Sequence, residues 1–133
     1  MDYNWRNVYV GILEAEYEGV KFYFIDNEGY FGGMRPYCDD ALYEIEKFAF
    51  FSKAALSALP VIGFQPDVVH CHDWQTGLVP VFLKDRFHEG QFFANMKSVM
   101  TIHNLKFQGR WMLPSVMDIT GLPAQIFTAD KLE

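Results

Sequence analysis

A chain of 133 residues and 15.4 kDa is long enough for one hydrophobic core, and fits either a compact domain or a piece of a larger one. Half of its residues are hydrophobic and 21% are charged, too apolar a mixture for disorder. No apolar run approaches the roughly 18 residues of a membrane span. A net charge of −6 argues against nucleic acid or an anionic membrane as the main partner. The first residues carry no basic region leading into an apolar stretch, which speaks against a secretory leader. Two cysteines, Cys38 and Cys71, make no disulfide framework, so a reducing cytoplasm is expected. The aromatic load is heavy, with thirteen Phe, seven Tyr and three Trp.

In chain order, residues 8–13 and 20–25 are rich in β-branched and aromatic types. The charged stretch 14–19 between them predicts a β-hairpin. Residues 26–40 hold Gly29, Gly32, Gly33 and Pro36 and read as a long loop, the kind that is usually functional or mobile. Gly32-Gly33 lacks the strand-to-helix setting of a phosphate loop. A helix follows, with Asp39 or Asp40 as its N-cap and Pro60 closing it. Ile45, Phe48, Ala55 and Leu59, with Leu42, Ala49 and Leu56, form its apolar stripe, and the Phe48, Phe50 and Phe51 cluster reads as core.

Residues 66–72 run apolar without alternation, as a buried parallel strand does. Thr76 is placed to cap a second helix over 77–87, with Pro80 tolerated near its first turn. Residues 97–103 are the next strand, so strand, helix and strand make a right-handed βαβ unit. The stretch 113–133, with Pro114, Gly121 and Pro123, reads as loops and short turns. The class is α/β, and no linker or repeat divides residues 1–133 into smaller domains.

Polar residues gather where the two strands end: His70-Cys71-His72-Asp73-Trp74-Gln75 after one, and Thr101-Ile102-His103-Asn104 with Gln108 after the other. In open parallel sheets the ligand crevice lies beyond the carboxyl ends of the strands. Neighbouring strands are about 4.8 Å apart, so Asp73 and His103 are expected to share one cleft. His70 is expected as a hydrogen-bonded core histidine. The His70-x-His72 spacing also admits a zinc or other transition-metal site, with His88, Asp73 or His103 as the third ligand. His88 lies in a charged helix end and reads as solvated surface. Cys71 reads as small buried packing rather than as a nucleophile.

These residues also carry a family likeness. Residues 66–78 resemble the P-D-[VI]-[VI]-H-x-H-D-W-x-[TA]-G-L segment of bacterial glycogen synthases and plant starch synthases. Residues 97–109 resemble their K-[ST]-V-x-T-[IV]-H-N-L-x-[YF]-Q-G segment. Looser matches are 23–31, to Y-F-I-D-N-x-x-Y-F, and 48–56, to F-A-F-F-S-[RK]-A-x-L. The four occur in family order and span nearly the whole chain.

The resemblance implies a Rossmann-like parallel sheet with flanking helices, as part of the N-terminal domain of a GT-B glycosyltransferase. It implies a retaining glucosyltransferase that moves glucose from ADP-glucose to the non-reducing end of an α-1,4-glucan such as glycogen. It needs no cofactor or metal, is cytoplasmic in bacteria, and places the active site against a C-terminal domain of the same chain. By resemblance, His103 lies at the donor glucose and Asp73 at the floor of the site. Asn104, Trp74, Gln75, Tyr37 and Gln108 fall around the sugar.

The sequence also departs from the family. No Lys-x-Gly-Gly-Leu donor loop is found, nor the second domain's diphosphate-binding Arg/Lys pair. Glu44-Ile45-Glu46-Lys47 replaces the usual Asp-Asn and Arg before Phe48, and Gln75 stands where some members have histidine. The chain is therefore expected to be an internal fragment, inactive alone. Readings from other classes are a His-x-His metal-dependent hydrolase and a non-catalytic glucan-binding domain.

Overall fold

A computed structural model describes residues 1–4, 6–33, 36–37 and 39–128. Trp5, Met34, Arg35, Cys38 and residues 129–133 lie outside the described residues, and with them the loop match at Cys38 and the end of the predicted tail. A short antiparallel pair, β1 (Asp2–Tyr3) and β2 (Arg6–Asn7), precedes the hairpin β3 (Gly11–Tyr17) and β4 (Val20–Asp26). The hairpin is as expected, but its turn is tighter than the charged stretch suggested. Strand pairing runs to Tyr17↔Val20, and only Glu18 (φ 50°) and Gly19 (φ 77°) turn the corner. Both turn residues are left-handed, the combination whose twist suits a two-residue hairpin.

The loop after it contains one helical turn, α1 (Glu28–Phe31), capped by the Asn27 side chain accepting the Tyr30 N–H at 3.0 Å. The central element is α2 (Ala41–Ile62). Asp40 caps it by accepting the N–H groups of Leu42 and Tyr43 at 3.0 and 3.2 Å. Pro60 does not close this helix; it sits inside the last turn. The stop comes at left-handed Gly63, whose N–H donates to Pro60 O while Phe64 N–H donates to Leu59 O.

Helix α2 is covered around most of its circumference, because it lies between two apolar clusters. One side carries Phe50, fully buried, with Tyr3, Ile45, Ala49, Ala54 and Ile119. The Phe50 ring stacks on Tyr30 at 4.6 Å and meets Tyr3 edge-on at 5.9 Å. The other side carries Leu56, with Cys71, Val79, Phe82, Leu83, Phe93, Met96 and Leu122. Leu42, expected in the stripe, is exposed at the helix start.

Strands β5 (Val68–His72) and β6 (Lys97–Thr101) pair in parallel, from Val68↔Lys97 to His72↔Thr101. They are joined through a 3-10 turn at Trp74–Thr76, α3 (Leu78–Phe82) and a wide π-type turn at Leu83–Phe87. The crossover is the expected βαβ unit, but Thr76 caps nothing: Gly77 precedes α3 without a side-chain cap. The strands are also less buried than their continuous apolar pattern predicts. That pattern belongs to a sheet covered on both faces; here helices lie against one face, Cys71 is buried, and Val68 and Val99 remain exposed.

The tail departs from expectation too. Residues 113–120 form α4 (Leu113–Thr120), with Pro114 in its first turn and Gly121 as its C-cap. This helix packs on α2, and Asn4 donates its side-chain amide to Asp118 O. Among the described residues no helix is long and apolar enough to cross a membrane.

Candidate functional site

Where β5 ends, Asp73 continues the ladder, its N–H donating to Thr101 O at 2.9 Å. Its backbone then turns to φ 59°, ψ −179°, a conformation nearly confined to glycine. The turn aims the carboxylate across the strand ends at the segment after β6. Oδ1 accepts the His103 backbone N–H at 2.7 Å, and Oδ2 meets His103 Nδ1 at 2.9 Å. One carboxylate thus fixes both the main chain and the ring of His103. The His103 backbone N–H is the chief cause holding the Asp73 carboxyl below the usual aspartate range. Partial desolvation works against it, while the His103 ring and the Asn104 N–H add to it. An ionised Asp73 accepts only, so Nδ1 of His103 carries a proton toward it, and Nε2 is the ring nitrogen that Asp73 does not engage.

His70 and His72 extend this row. The His72 ring stacks on His103 with centroids 5.4 Å apart and planes at 20°, and His70 follows at 4.2 Å from His72. His70 is exposed rather than core, and its Nε2 pairs with Thr101 Oγ1 at 2.7 Å. Stacked rings do not converge their nitrogens on a point, and among the described residues no three His, Cys, Asp or Glu are placed to hold a metal ion. His88 is exposed beyond the π-type turn. Burial pushes the Cys71 thiol up, in keeping with a packing role.

A second group forms around two buried polar side chains of α2. Lys47 Nζ donates to Pro36 O at 2.5 Å, and Ser52 Oγ donates to Gln75 O at 3.3 Å. The two anchored segments meet where Gln75 Nε2 donates to Tyr37 Oη at 3.3 Å. Phe48 lies between them, 6.3 Å from the Tyr37 ring and edge-on to Trp74 at 5.0 Å. Trp111 packs against Trp74 at 4.9 Å and is pinned by its Nε1–H to Ala41 O. Phe50 alone of the three phenylalanines is fully buried; Phe48 is part of this wall.

Trp74, Gln75, Phe48, Phe107, Gln108 and Trp111 line a cleft of about 730 Å³, closed further by Ile102 and Leu105. Asp73, His103, Asn104 and Tyr37 are not among its walls. The seven residues read from the sequence therefore divide. Asp73, His103 and Asn104 form a polar ledge at the strand ends; Trp74, Gln75 and Gln108 face the apolar cleft, with Tyr37 behind Gln75. Two of the amides are spent on their own loop, Asn104 Oδ1 accepting the Lys106 N–H and Gln108 Nε2 donating to Leu105 O. Sequence reading missed Phe48, Trp111 and Arg110 as cleft residues. For Phe48 and Trp111 no local pattern marks the role, since their partners are 11 to 70 positions away.

A family model described as the starch synthase catalytic domain matches residues 1–133. The chain is 66% identical to a glycogen synthase of Lachnospira eligens over 134 residues, covering all of this chain and 28% of that enzyme. It is 60% identical to a glycogen synthase of Lachnoclostridium phytofermentans, again over 28% of its length. The catalytic domain of starch synthase IV from Arabidopsis thaliana, solved with ADP and acarbose bound, superimposes with a TM-score of 0.79 at 28% identity. That match covers 92% of this chain and 25% of the plant one. The chain thus spans about a quarter of the length of the relatives it matches.

Proposed function

Since the chain belongs to the starch synthase catalytic domain family, we propose that residues 1–133 form the acceptor-side part of a retaining glucosyltransferase. The whole enzyme would transfer glucose from ADP-glucose to the non-reducing end of an α-1,4-glucan, on a GT-B fold closed by a C-terminal domain. The observation that carries this reading is the double contact of Asp73 with His103 at the carboxyl ends of parallel strands.

Retentive glycosyl transfer passes through an oxocarbenium-like state with positive charge at the anomeric carbon. Preorganised oxygens stabilise such charge without having to reorganise. Asp73 holds His103 so that its backbone carbonyl and Nε2 are presented together, the carbonyl toward developing charge and Nε2 toward a sugar hydroxyl. Trp74 and Gln75 offer one face and one amide to the rest of the sugar. Neutralising the departing diphosphate is assigned to the remaining three quarters of the enzyme, so the 133-residue chain alone is expected to give no turnover.

The test is a chimera in which residues 1–133 replace the matching segment of the Lachnospira eligens glycogen synthase. It is expected to build labelled glucose from ADP-glucose into glycogen. His103→Ala and Asp73→Asn in that chimera are each expected to lower kcat by at least about a hundredfold, a loss typical of removing an electrostatic stabiliser. A folded chimera without transfer, or full activity in His103→Ala, would refute the assignment.

A further inference from the structure

The turn that carries Asp73 is held from two sides. On one, Asp73 N–H is fixed to Thr101 O. On the other stands Thr76, whose hydroxyl accepts the His72 N–H at 2.8 Å and donates to His72 O at 2.8 Å, with Asp73 O at 3.3 Å. The Thr76 N–H adds a bond to Asp73 O at 3.2 Å. A hydroxyl at this place in a helix start would normally cap the helix. Here it is turned back onto the strand end instead, onto the residue pair that carries the φ 59° turn. Asp73 at φ 59° relaxes toward ordinary geometry unless neighbours over-determine it. Relaxation would swing the carboxylate away from His103 and take the His72 ring, stacked on His103, with it.

We propose that Thr76 is a positioning residue: its hydroxyl clamps the His72–Asp73 turn and so keeps the Asp73 carboxylate and the His72 ring seated on His103. The catalytic consequence rests on the glucosyltransferase reading above; the geometric one does not. Thr76 is not among the residues that line the cleft, so its hydroxyl reaches a substrate through the turn it holds and, beyond it, through Asp73 and His103.

Two readouts separate these levels. In the 133-residue chain, carbon-13 NMR of the aspartate carboxyls follows the Asp73 titration, which is expected below the usual aspartate range because the carboxylate accepts the His103 backbone N–H. Thr76→Val, which keeps the shape and removes the hydroxyl, is expected to move that midpoint up toward the usual range, and Thr76→Ser to leave it in place. In the chimera, Thr76→Val is expected to lower kcat about tenfold with KM for ADP-glucose changed less than about twofold, as for one lost orienting hydrogen bond. Thr76→Ser is expected to restore most of the loss. The family pattern admits alanine here, so Thr76→Ala replaces Thr76→Val if the valine variant fails to fold.

A folded Thr76→Val or Thr76→Ala chain with an unmoved Asp73 titration and unchanged kcat overturns the clamp. So does a serine variant as impaired as the valine one. If the unsubstituted chimera is inactive, the glucosyltransferase reading falls, and the NMR comparison still decides the clamp.

Discussion

At the scale of single residues, charge and backbone geometry at the strand ends depend on each other. Asp73 occupies a strained conformation, and what the strain secures is a carboxylate that receives two N–H groups of one residue. Because its folded-state pKa is depressed, the contact is complete above the usual aspartate range and is lost as pH falls through the lowered value. Gly109 is the second position where a single atom matters. Its φ is 57°, and an added Cβ would stand 2.6 Å from the Trp74 ring and 2.7 Å from the Trp111 ring. Gly109→Ala is therefore expected to cost at least about 1–2 kcal/mol from the left-handed backbone alone. It should also part the two indoles, read as a lower melting temperature together with a shift in tryptophan emission. An unchanged emission spectrum would show that the segment passes the tryptophans elsewhere.

At the scale of elements, α2 does more than fill space. Its apolar side chains join both clusters, while Lys47 and Ser52 hold the segments that bring Tyr37 and Gln75 together. Phe50 is its deepest anchor, fully buried between Tyr30, Phe31 and Tyr3. Phe50→Ala is expected to destabilise by about 3–5 kcal/mol, since the rigid aromatic surround cannot collapse into the vacancy. That is a large share of ordinary domain stability, and the urea midpoint should fall accordingly; a fall below about 1 kcal/mol would mean that this cluster is loosely packed. The start of α2 was legible because a cap acts locally: Asp40 bonds residues two and three positions on. Its end was misread at Pro60, because a proline in the last turn forfeits only one helical hydrogen bond, and the Gly63 C-cap supplies the stop. The helix α4 carried a readable signal, proline at its start and glycine just past its end. Among the other turn-forming residues of 113–133, that signal reads equally well as loop.

At the scale of the molecule, the aromatic load divides in an unexpected way. Phe22 and Phe24 are exposed: the hairpin register sets Leu13, Tyr17, Val20, Phe22 and Phe24 on one face and Glu14, Glu16 and Lys21 on the other, and the apolar face is the open one. Soluble monomers rarely leave so continuous an apolar face open. The 133-residue chain is expected to self-associate with rising concentration. The double variant Leu13→Glu, Phe24→Lys should shift sedimentation toward monomer while changing folding stability by only about 0.5 kcal/mol per site, as surface changes do. Sedimentation identical in both would show that the face does not drive association.

The α/β class, the hairpin, the parallel βαβ unit and the polar residues at the two strand ends are all legible in the amino-acid order, because each follows from periodicity, capping or short spacing along one stretch of chain. The two long motifs determined the family as well. The double grip of Asp73 on His103, the return of Thr76 to the strand end, and the cleft that Phe48 and Trp111 wall beside the polar ledge emerge once the chain is folded. Those outcomes depend on which segments meet across α2 and between β5 and β6. Such distances are set by the packing of the whole core and are written in no single stretch of residues.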